Sequence, residues 1–120
     1  MAISAEELKA NIMQCTGTEA YHKITMLPMN ATDGVAMVAQ KAGAFWLFDA
    51  IASYQGEAKI KALSIQFWYL EVKDKKAELY CIEDSGKPKI VSQKIEYTNF
   101  PEGKWEFYVQ GDVLMLSNEY

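Results

Sequence analysis

The chain has no arginine: all twelve of its basic residues are lysines. Arginine's planar guanidinium dominates bidentate recognition of phosphate, carboxylate and guanine, so a sequence-reading DNA protein without one would be unusual. A formal net charge of -4 adds long-range repulsion from phosphates. Specific nucleic-acid binding is therefore not expected. Histidine occurs once, at His22, and cysteine twice, at Cys15 and Cys81, with no CxxC spacing. Without an HExxH or a Cys/His cluster, zinc lacks ligands. The acidic residues show no spacing that singles out a magnesium site. "EDSGKPK" contains Gly-Lys but not the spacing of a phosphate-cradling loop, and it reads as a hairpin turn. No cofactor is expected.

Long apolar runs are missing too. No stretch reaches the ~18 residues that a membrane-spanning helix needs. "MAISAEELKANIMQ" carries neither the basic nor the apolar region of a signal peptide. These features lead to the expectation of a cytoplasmic protein with no membrane partner. Its two thiols should be reduced and structural, since free cysteine behaves as a small buried hydrophobe.

What is present is globular. Of 120 residues, half are hydrophobic and 23% are charged, which suits one domain over residues 1–120 with a real core. "SAEELKANIMQCTG" sets Ser4 and Glu7 at capping-box spacing. Leu8, Ile12 and Cys15 then repeat along one face before Gly17, which predicts a helix from about Ala5 to Cys15. "TEAYHKITML" reads as a short strand at a sheet edge, ending at Pro28. Thr32 or Asp33 offers a fresh N-cap. Val35, Val38, Ala39 and Ala42 then predict a second helix over 33–42. Gly43 breaks it, and a third helix should run from about Ala44 to Tyr54.

From Leu63 the pattern turns to strands: "LSIQFWYLEVK", "KAELYCIE", "KIVSQKIEY", "KWEFYV" and "DVLMLS", separated by short polar or glycine-bearing pieces. These read as consecutive hairpins. "IQFWYL", apolar on both alternating faces, should be central and at least partly covered on each side. In "KIVSQKIEY", Val91, Ile95 and Tyr97 share one face with Gln93, and the other face should meet water. The expected fold class is α+β, with N-terminal helices packed on one face of an antiparallel β-meander.

"TDGV", "AGAFWLFDAIASYQ", "IQFWYLEV", "QKIEYTNFPEG" and the terminal "SNEY" together resemble a family of small bacterial and bacteriophage proteins described as a domain of unknown function. The resemblance covers roughly residues 5–120, and "TDGV" followed by "AGAFWLFDAIAS" is its most specific part. It implies a cytoplasmic protein carried on phages, plasmids or integrated elements, and it implies no activity.

"GAFWLFDAIAS" places Asp49 among large apolar side chains. On a helical wheel Leu47, Ala50, Ile51 and Tyr54 form the core stripe, with Phe48 at its edge. Asp49 and Ser53 fall about opposite, flanked by Phe45 and Trp46. An unpaired buried carboxylate would cost several kcal/mol or become protonated. The first expectation is therefore that Asp49 is buried against another element and held by hydrogen bonds. The alternative is an aromatic-rimmed binding surface formed by Phe45, Trp46, Asp49 and Ser53. "MLPMN", residues 26–30, either tucks under the sheet or supplies an adaptable rim.

Cys15, His22 and Asp33 have the residue types of a nucleophile, base and orienter, but no nucleophile-elbow sequence surrounds them. With 15 aromatic residues and no catalytic motif, the leading expectation is a non-enzymatic protein-binding module. It would act as a phage or mobile-element effector on a host protein, for example as a defence inhibitor. Self-association through an uncovered sheet edge or face overlaps with it. The rival is a small enzyme using Asp49 or His22 as an acid–base group.

Overall fold

A computed structural model describes residues 3–14, 21–22, 29–84 and 86–117. Cys15, residues 18–20 and 23–28 at the first expected strand, and the terminal "NEY" lie outside these residues. Helix α1 spans Ala5–Met13, and its start is the Ser4 N-cap read from the sequence, the first half of a capping box. The Glu7 amide donates to Ser4 Oγ at 3.2 Å, and the Ser4 hydroxyl contacts Glu7 Oε1 at 3.3 Å. After strand β1 (Asn30–Ala31), Thr32 rather than Asp33 caps helix α2 (Asp33–Lys41), accepting from the Val35 amide at 3.4 Å. Gly43, at φ 60°, turns the chain into helix α3 (Phe45–Ser53). A 3-10 turn at Tyr54–Gly56 and a short helix α4 (Ala58–Lys61) follow; the sequence reading had no element there.

Five strands complete the domain: β2 (Ile65–Lys73), β3 (Lys76–Ile82), β4 (Lys89–Ile95), β5 (Gly103–Gln110) and β6 (Val113–Leu116). The α+β class holds, with helices N-terminal and a mostly antiparallel six-stranded sheet. Its order is β1-β6-β5-β2-β3-β4, and β2 is interior as expected. The order departs from a plain meander at two places: β1 lies parallel beside β6, and the chain crosses over between β4 and β5. β5 does not pair with β4 but returns to lie antiparallel beside β2, which is a Greek-key arrangement.

That crossing is anchored along its length. Three strand spacings amount to about 14 Å, and residues 96–102 can reach roughly 23 Å when extended. The Thr98 amide donates to Lys75 O at 2.8 Å, and the Asp74 amide to Glu102 Oε1 at 2.9 Å, so the segment passes beside the β2–β3 turn. Phe100 packs edge-on to Trp105, whose indole N–H donates to Pro101 O at 2.8 Å.

Strand alternation gives the sheet two different faces. Trp68, Leu70, Leu79, Cys81, Phe107 and Val109 face the helices and form one core with Leu8, Val35, Val38, Leu47, Phe48 and Ile51. Each large side chain there contributes roughly 1.5–3 kcal/mol by leaving water. Met29, at the end of "MLPMN", is buried in the same core. The opposite face carries an aromatic band outside that core. Phe67 meets Tyr108 edge-on at 4.9 Å, and Tyr69 stacks with Tyr80 at 5.4 Å. β4 ends at Ile95, so Tyr97 belongs to the crossing segment, where it is 64% exposed rather than aligned with Val91.

Candidate functional site

Helix α3 is held by one side only. Leu47, Phe48 and Ile51 are fully buried, and Phe48 packs edge-to-face on Phe107 of β5 with ring centroids 5.2 Å apart. Phe48 is thus central to the core, not at its edge. At 100° per residue, Phe45, Asp49, Ser53 and Trp46 fall within one arc of about 100° on the other side. All four are exposed: Phe45 to 43% and Trp46 to 37%, values high for large aromatics on a well-packed helix.

The expectation that Asp49 is buried and hydrogen-bonded is overturned. It lies on the exposed face, and its carboxylate makes no hydrogen bond or ion pair with any described residue. The wheel argument for its direction holds, but no described residue packs over it there, so water supplies the solvation that a partner would otherwise have to replace. Ser53 turns its hydroxyl back on its own helix and donates to Ala50 O at 2.6 Å.

Two grooves flank this face. One, of about 870 Å³, runs between the α2–α3 corner and the end of β4, with Lys41, Gly43, Trp46, Gln93, Lys94 and Tyr97 in its walls. Among the described residues two lysines line it and no acidic residue does, in a chain whose net charge is -4. The second, of about 660 Å³, is bounded by Met29, Ser53, Gln55, Lys61 and Asp112. The structure therefore puts Trp46 on one groove and Ser53 on the other, with Phe45 and Asp49 on the ridge between them. Tyr97, Gln93, Lys41 and Lys94 were not singled out from the sequence. The one available signal for Tyr97 was the turn chemistry of "TNFPEG", which ends the strand before it.

His22 and Asp33 come together elsewhere. His22 Nε2 lies 2.6 Å from Asp33 Oδ1, with both side chains partly exposed, and the His22 backbone bridges to Ala31. Neither residue lines the Trp46 or the Ser53 groove, and neither does Asp49. With the carboxylate as acceptor, the proton of this hydrogen bond sits on Nε2. Cys15, the third member of the imagined set, lies outside the described residues.

Cys81 is buried beneath the sheet and free. Loss of solvation pushes its thiol up to about 12, partly offset by a hydrogen bond from the Phe67 backbone, so the reactive thiolate is suppressed at neutral pH. Tyr80, on the other face, donates to Glu71. Its phenol is held well above the usual range, by burial first and then by that carboxylate.

No helix among the described residues is long and apolar enough to cross a membrane. The model of the family described as "Family of unknown function (DUF6876)" matches residues 6–120. No curated protein and no solved structure matches the chain.

Proposed function

The chain belongs to this family of unknown function, and from that premise we propose that it is a non-enzymatic protein-binding module. Its contact surface is the exposed face of α3. The observation that carries the reading is the asymmetry of that helix. Phe48 and Ile51 lock one side into the core, while Phe45, Trp46 and Asp49 stand on the other. Rigidly mounted aromatics lose little conformational freedom on binding, and they are common anchors at protein interfaces. Asp49 supplies one charge at their centre, which selects the orientation and identity of a partner more than it adds affinity.

The family resemblance suggests a setting for that surface: a cytoplasmic effector of a phage or mobile element, acting on a host protein such as a defence component. Affinity capture from host lysate tests the reading. A host protein retained by the wild-type chain and lost with the Phe45→Ala/Trp46→Ala double variant is the expected result. Identical capture by both would place the contact elsewhere.

A second reading, an enzyme with His22 as its acid–base group, draws on the 2.6 Å His22–Asp33 pair. Asp49 has no part in it. On this reading a reaction catalysed by the purified chain would be lost in His22→Gln and kept in the Phe45→Ala/Trp46→Ala variant, the reverse of the binding pattern.

A further inference from the structure

We infer that the groove beside Trp46 takes an extended acidic peptide segment of a partner, added as a strand to the free edge of β4. The inference rests on the protein being a binding module and names the chemistry of what it binds. Among the described residues β4 is the last strand of the sheet, so one row of its backbone N–H and C=O groups has no strand neighbour. Gln93 and Ile95 point to the helix side, opposite the buried Leu79 and Ala77, and Lys94 points to the other. The groove takes in Gln93, Lys94 and Ile95, the last three residues of β4, so a strand added to that edge would pass through it.

The lining sets the sequence of the guest. Lys41 and Lys94 lie in the groove, with no acidic residue among its described walls. A lysine on a sheet edge repels basic strands, and neutral strands would have to strip water from its charge, so it discourages indiscriminate pairing. An acidic strand meets attraction in place of repulsion, in a chain that is otherwise net negative. In strand addition, main-chain hydrogen bonds hold the guest, and alternate side chains are read separately. Side chains on the helix side meet Trp46 and Tyr97, which suits large apolar groups. Those on the other side meet Lys94, which suits carboxylates. The guest is thus a segment in which acidic and apolar residues alternate, with an aromatic on the helix side.

The probe is a displayed library of random linear peptides long enough to lie along β4, panned against the full chain. Selected peptides should be net negative with acidic and apolar residues alternating. Their affinity should fall roughly tenfold or more with Lys41→Glu/Lys94→Glu, whose folding is checked by denaturant melts. N-methylation of alternate peptide amides, which removes strand hydrogen bonds and keeps the side chains, should abolish binding. An empty selection, neutral or basic winners, or indifference to the charge reversal or to N-methylation would overturn the inference. A host protein captured equally by the wild type and by Lys41→Glu/Lys94→Glu, but lost with Phe45→Ala/Trp46→Ala, would overturn the strand addition while leaving the binding module in place.

Discussion

The side-chain amides of Gln55 and Gln66 clasp each other. Gln55 Nε2 donates to Gln66 Oε1 at 2.8 Å, and Gln66 Nε2 donates back to Gln55 Oε1 at 2.7 Å. The same Gln66 oxygen accepts the indole N–H of the fully buried Trp68 at 2.8 Å. Gln66 is only 3% exposed, so this small network is how the turn after α3 is fastened to the central strand. Gln66→Ala removes the acceptor for Trp68 and the partner for Gln55 and leaves a cavity. A loss of about 2–4 kcal/mol is expected, read from urea midpoints at constant slope. A loss below about 1 kcal/mol would mean that the indole finds another acceptor.

Neighbouring phenylalanines on α3 should behave in opposite ways. Phe48→Ala, in the core against Phe107, should cost about 3–5 kcal/mol. Phe45→Ala and Trp46→Ala each remove a partly exposed ring, so each should cost less than about 1 kcal/mol. Thermal or denaturant melts of the three variants check the assignment of the two faces.

Alkaline pH should destabilise the fold. Burial raises the Cys81 thiol from its ordinary value of 9.0 to about 12 in the folded state, so above pH 9 the unfolded chain gives up that proton first. The folded state then holds more protons than the unfolded one, and the unfolding free energy falls as pH rises. The contribution is complete below pH 9 and lost by about pH 12. Tyr80, raised by burial and by Glu71, adds a loss of the same sign. Denaturant titrations across this window should show a shallower decline in Cys81→Ala than in the wild type.

Asp49→Asn should leave the denaturation midpoint within about 0.5 kcal/mol of wild type, as surface changes usually do. A loss of 1 kcal/mol or more would mean that the carboxylate has a structural partner after all, as the sequence first suggested.

Local signals carried much of the fold into the sequence. Ser4–Glu7, Thr32 and Gly43 punctuate the helices where side-chain and backbone chemistry require it, and apolar residues on both alternating faces marked β2 as central. The strand order was not legible, because hairpin logic pairs neighbours along the chain. The crossing of residues 96–102 depends on tertiary anchors, Trp105 to Pro101 and Thr98 to Lys75, that no local pattern encodes. Helix α4, only four residues long, is too short for periodicity to register. For the site, the wheel gave the direction of Asp49 correctly. Whether anything covers that face is a matter of packing, and the Trp46 groove unites residues more than fifty positions apart.

The central claim, contact through the exposed face of α3, is tested most directly by photo-crosslinking in host cells. A benzophenone side chain replaces Ser53, exposed on the same face of α3, in one variant and Glu106, exposed on the opposite sheet face, in another. A discrete adduct with one host protein from position 53, weak or absent from position 106, is the predicted result. An adduct from position 106 alone, or none from either, would contradict it.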